Sequence, residues 1–103
     1  MPLKEDEDII HFLMSCPMLA NVREEPFLNL KEEVIKNTAH GTWHRIFNTK
    51  YEISKLIIDC KNFKDIFMED ERILQRIELL SVDLCYKLYV RRLQMLENGE
   101  LSV

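Results

Sequence analysis

From Glu69 to Glu97 the chain reads as one long helix whose apolar side chains leave only a narrow polar strip. At about 100° per residue, with Ile77 as origin, Ile73, Leu74, Leu79, Leu80, Val82, Leu84, Cys85, Tyr86, Leu88, Tyr89, Val90 and Leu93 sweep about 280° of arc. The strip holds Arg76, Asp83, Lys87 and Gln94, with Arg72 at its edge, while Glu78, Arg91 and Arg92 interrupt the apolar side without splitting it. A helix of this kind has to be covered on nearly every side, by its own domain or by another chain.

Upstream, the pattern predicts shorter helices. The first runs from about Lys4 to Ser15, with Glu5, Asp6, Glu7 and Asp8 at the positive end of the helix dipole and Ile9, Ile10, Phe12 and Leu13 on the buried side. Pro17 stops it, because the residue before a proline is pushed out of the helical region, and Met18 to Glu24 reads as loop. A second helix is expected from about Pro26, a good first helical residue, to Thr38, burying Phe27, Leu30, Val34 and Ile35 and ended by Gly41. Thr42, which can cap, opens a short helix to Phe47. The Thr49-Lys50-Tyr51-Glu52 capping box opens a longer one to about Cys60, with Trp43, Ile46, Ile53, Leu56, Ile57 and Cys60 sharing a face. Lys61-Asn62 breaks that helix, and Phe63, Ile66 and Phe67 add one turn. Glu69, Asp70 and Glu71 give the long helix an acidic start, and Asn98-Gly99 caps its end. The expected fold is therefore all-α: a single-domain bundle of about four to five helices over residues 1–103, with a long C-terminal helix and frayed ends at about 1–4 and 99–103.

Size turns this pattern into a functional expectation. A compact domain of this length has a radius of gyration of roughly 13 Å and a diameter of about 33 Å, whereas a helix from Glu69 to Glu97 is about 43 Å long. The expected excess is about 10 Å, or two turns, holding Tyr89, Val90, Leu93, Met95 and Leu96, with Ile73 to Leu84 forming the domain's own core. A second chain covering that overhang is the preferred reading, and an elongated antiparallel bundle is the competing one.

Composition narrows the classes. Two glycines and three prolines disfavour a sheet joined by tight hairpins. A net charge of −4 offers no general attraction to nucleic acid. The three cysteines, Cys16, Cys60 and Cys85, are odd in number and do not suit a disulfide-stapled secreted module. The longest uncharged run, Ile9 to Val22, contains His11 and Pro17 and follows four acids, which fits neither a signal peptide nor a membrane span. We expect a cytoplasmic protein, with a nuclear one as the variant of that reading.

Candidate chemistry is sparse. His40 and His44 have the i, i+4 spacing of a metal pair, yet Gly41 separates them, the helical Glu of a metalloprotease is missing, and no paired ligands lie nearby in sequence. Cys60 and Cys85 lie on apolar faces without a nucleophile signature, and Gly41 and Gly99 cannot form a phosphate loop. Neither an enzyme, a metal, a cofactor nor a small-molecule substrate is expected. The window Tyr86 to Arg92 is the one locally basic and aromatic stretch, with Lys87, Arg91 and Arg92 unopposed by acids. A solvated helix edge accounts for it most simply. If a partner binds, the expected contact residues are Tyr86, Tyr89, Val90, Leu93 and Leu96, with Arg91 and Arg92 at the rim. The reading is a helical interaction module that dimerises or docks on a protein partner, as adaptor, inhibitor or assembly subunit. The alternative is a helix-turn-helix nucleic-acid regulator built on Thr42 to Cys60 that dimerises through the long helix, for which Lys50 and Lys55 among acids and aliphatics are thin provision. The terminal Leu101-Ser102-Val103 also has the form captured by some peptide-groove domains, on a match of three residues.

Overall fold

In a computed structural model of the protein, residues 9–99 are described, and their order is a π-helical turn at His11–Ser15, a 3-10 turn at Pro17–Leu19, helix α1 at Ala20–Lys36, α2 at Thr42–Ile46, α3 at Lys50–Ile58, a 3-10 segment at Cys60–Phe67, and α4 at Glu71–Glu97. The protein is an all-α bundle with a long C-terminal helix, and the described residues include no strand. The acidic run Glu5 to Asp8 and the tail Leu101 to Val103 lie outside the described residues.

The principal packing is α1 on α4. The two run antiparallel. Glu33, near the end of α1, meets Arg76, near the start of α4, at 3.2 Å. At the other end Arg23 of α1 binds the carbonyl of Phe12, whose ring lies 5.6 Å from the Arg92 guanidinium of α4. α1 buries Arg23, Pro26, Leu30 and Val34, which fall on one side of a helix, while Ile35, about 140° round from Leu30, is exposed, contrary to expectation. A second apolar group joins α1 to the middle of the chain. Trp43 sits between Phe27 and Phe47, with ring centroids at 6.2 and 5.0 Å, and Phe47 reaches Phe63 at 5.0 Å.

The segment expected to be loop before Pro26 is helical from Ala20. At the second turn of α1 Pro26 forgoes the hydrogen bond that Val22 would have accepted and crowds that carbonyl, and the burial of its ring in the core offsets the cost. α1 ends well before Gly41. The Asn37 amide donates to the Glu33 carbonyl at 2.8 Å and the Thr38 hydroxyl to the Val34 carbonyl at 2.7 Å, satisfying last-turn acceptors. Gly41 instead makes the turn into α2 with φ of 85°, a conformation in which a side chain is strained. Thr42 caps nothing and is buried, whereas Thr49 accepts from the Glu52 N–H at 3.2 Å, as the capping box predicts. The break after α3 falls at Asp59, whose carboxylate accepts from the Lys61 N–H, and not at Lys61-Asn62, which continue into the 3-10 segment. Met68 and Glu69 are both left-handed, with φ of 56° and 53°, so α4 starts two residues later than expected, capped by the Asp70 carboxylate at 2.9 Å from the Arg72 N–H.

The first turns are held down by a buried charge. Pro17 ends the opening helix as expected, with Cys16 extended at ψ of 114°. The Arg23 guanidinium donates to the Phe12 and Cys16 carbonyls at 3.3 and 3.1 Å, and Lys50 donates to the Ser15 hydroxyl at 3.1 Å. Burial lowers the Arg23 pKa, opposed by its proximity to the Cys16 sulfur. Of the expected buried side of this segment, Leu13 is buried, Ile10 and Phe12 are half-buried, and Ile9 is exposed.

The bundle is long rather than round: 45 × 30 × 21 Å, with a radius of gyration of 14.5 Å. α4, about 40 Å from end to end, runs along it without the expected overhang. Leu88 and Met95 in its second half are as buried as Ile77 in its first, because the His11–Ser15 and Pro17–Leu19 turns pack on α4 there.

Two stability outcomes follow from this packing. Leu30→Ala is expected to cost about 2–5 kcal/mol and Ile35→Ala under about 1 kcal/mol in urea unfolding, although both residues were assigned to one face by sequence. Arg23→Met, which keeps the stem and removes the donors, should cost roughly 1.5–3 kcal/mol in the same measurement.

Candidate functional site

α4 carries two apolar stripes. The inner one, Leu74, Ile77, Ser81, Leu84, Leu88 and Met95, is buried in the bundle. The outer one, Leu79, Val82, Tyr86, Tyr89 and Leu93, is exposed at 70, 59, 66, 56 and 41%. Alternate steps of three and four residues separate its members, the spacing of a coiled-coil seam. Each outer residue stands five positions after an inner one, which places the stripes about 140° apart round the helix. Most of the long helix's apolar excess is thus a continuous outward face and not a projecting end.

α3 flanks this face. Ile58, exposed at 61%, stands with Ile57, Ser81, Val82, Cys85, Tyr86 and Tyr89 around an open groove of about 440 Å³ between α3 and α4. Val82, Cys85, Tyr86 and Tyr89 are related as i, i+3, i+4 and i+7, the four corners of a hole that receives a side chain from a neighbouring helix. Ser81 of the inner stripe borders this groove, and its buried hydroxyl has no hydrogen-bond partner.

The residues singled out by sequence divide between this face and its margins. Tyr86, Tyr89 and Leu93 are on it; Val90, Arg91 and Leu96 are half-buried. Arg92 is exposed and lies over the Phe12 ring, tying the opening segment to α4. Lys87 pairs with Asp83 at 3.0 Å on the polar strip. Leu79 and Val82, expected in the domain's own core, are exposed and stand on this face with Ile58. The alternating spacing from Leu79 to Leu93 is the signal that marks them as one group.

The remaining constellations are dispersed. Among the described residues no three of His, Cys, Asp and Glu converge as metal ligands, and the left-handed Gly41 keeps His40 and His44 off a shared helical face. The pair expected for a helix-turn-helix exists as α2 and α3, but α2 has five residues, and Lys55 lies over the Tyr51 ring at 6.0 Å. No described helix is long and apolar enough to cross a membrane. The Cys60 thiol lies 3.6 Å from the Leu74 carbonyl, and its pKa is raised by burial first and by Glu78 and Asp59 second; burial alone raises that of Cys85.

Fold and face together define a class, an all-α bundle with an uncovered helical seam. Compared with known protein families, with curated proteins and with solved structures, the chain matches none.

The thiols give a pH signature. A pKa raised on folding contributes stability that is complete below the unfolded thiol value, about 8.5, and is lost as pH rises through the folded one. The melting temperature is expected to fall above that point, and Cys60→Ala should flatten the fall; identical alkaline profiles for the two proteins would contradict the assignment.

Proposed function

We propose that this protein is a helix-mediated association module that docks through the outward face of α4, as an adaptor, inhibitor or assembly subunit. The observation that carries the reading is the exposed stripe Leu79, Val82, Tyr86, Tyr89 and Leu93, continued by Ile58 of α3. From their fractional exposures, these residues present on the order of 500–700 Å², at the upper end of the ~300–600 Å² of the largest apolar patch on a typical monomer. Leaving such a stripe wet is unfavourable and invites aggregation, so a protein that keeps it has a use for it. Two tyrosines at its centre fit the composition of interface cores, where a broad ring is buried at little entropic cost. A binding role rather than catalysis also suits the thiols of Cys60 and Cys85, which burial keeps protonated.

The test is a photoreactive benzoylphenylalanine in place of Tyr86, irradiated in the protein's native source. A discrete adduct, with none from the same group at the exposed Glu32 of α1, is the expected result. No adduct at Tyr86 would refute the reading.

A further inference from the structure

We propose that the occupant of the α4 face is a second copy of this chain, packed antiparallel about a two-fold axis that passes between Lys87 and Leu88. The inference rests on the association reading above and names its partner.

Three observations support it. The first is extent. The exposed stripe with Ile58 offers on the order of 500–700 Å² per chain, which reaches the lower end, about 600 Å² per partner, of a standard stable interface. One face meeting itself, with the half-buried Leu96 of each copy added at its end, therefore reaches the size a dimer needs. The second is self-complementarity. A two-fold interface requires that residue i meet j and j meet i. With the axis between Lys87 and Leu88, Leu79 meets the partner's Leu96, Val82 meets the partner's Leu93, and Tyr86 meets the partner's Tyr89, so every layer is apolar or aromatic on both sides. The partner's Tyr89 then stands level with the hole formed by Val82, Cys85, Tyr86 and Tyr89. That hole is wide and open, with room for a broad aromatic knob. Both copies supply both parts.

The third is direction. A parallel pairing in register sets each residue against its own copy and carries the seam back to Gln75 and Arg72, so that arginine faces arginine at one end. The antiparallel pairing puts Arg72 beyond the partner's last helical residue, Glu97, so that arginine no longer faces arginine, and aligns the two helix dipoles favourably.

Light scattering and sedimentation of the full chain at about 10–100 μM, a range in which a standard-size interface is populated, are expected to show a dimer. Leu93→Asp and, independently, Leu79→Asp should each give a monomer with unchanged helical circular dichroism. Two variants guard against misfolding of either, and Leu79 is the most exposed member of the stripe. Direction is read by mild oxidation and mass-spectrometric mapping: Val82→Cys mixed with Leu93→Cys should cross-link to each other, and Val82→Cys alone should not link through residue 82. A monomer throughout that range overturns the proposal, as does a dimer indifferent to both aspartates. A Val82→Cys chain that links to itself at that residue overturns the antiparallel arrangement. A monomer that still gives a Tyr86 photo-adduct of heterologous mass leaves the association reading standing with a different partner, whereas a monomer with no adduct removes both.

Discussion

The antiparallel contact of α1 with the inner stripe of α4 is the constraint on which the rest of the molecule depends. Leu30 and Val34 are fully buried there, as are Ile77, Leu84 and Leu88, and no disulfide or sheet among the described residues shares the task. Once this pair is set, the other elements have determined places. The aromatic series Phe27, Trp43, Phe47 and Phe63 fastens the middle of the chain to α1, and Arg23 and Arg92 fasten its beginning to both long helices. The surface ion pair between Glu33 and Arg76 marks the alignment but adds little, being largely solvated on the arginine side.

The same contact decides what remains outside. By using the stripe through Ile77 and Leu84, α1 turns the stripe through Val82 and Tyr86 to the surface, and α3 then frames it with Ile58. The exposed apolar face is thus a by-product of core packing in position, though not in composition. A merely solvated helix edge has no need of two tyrosines, two leucines and a valine at alternating three- and four-residue steps.

The fold class, the long helix, the Thr49 cap and the Pro17 stop were all legible because each follows from local rules: apolar periodicity, hydroxyl capping and the steric demand of proline. What was not legible depends on tertiary choice. Pro26 is a good first helical residue by propensity, yet the core holds its ring in the second turn of α1. Ile35 and Ile9 are apolar, and only the direction of packing shows that they face water. The overhang expected at Tyr89 to Leu96 assumed a spherical domain, whereas the bundle extends along α4 and covers Met95 as fully as Ile77. Tyr86, Tyr89 and Leu93, expected at or near the overhang, are exposed all the same, along the side of α4 and not at a projecting end. Leu79 and Val82 were lost because a helix apolar on most sides gives no local sign of which stripe its own domain will take.

That ambiguity is itself a physical property of α4. Its two stripes have the same spacing and are related by a rotation of about 140°, so during folding α1 meets two nearly equivalent tracks on one helix. The distinction between them is steric and polar: the inner track has the small Ser81 at its middle, and the corresponding place on the outer track is Tyr86, whose phenol would need a hydrogen-bond partner if buried. The cost of burying those phenols therefore favours the native rotation of α4 over one turned by about 140°, so the tyrosines that stand on the exposed face also oppose this chain's own α1 settling on it.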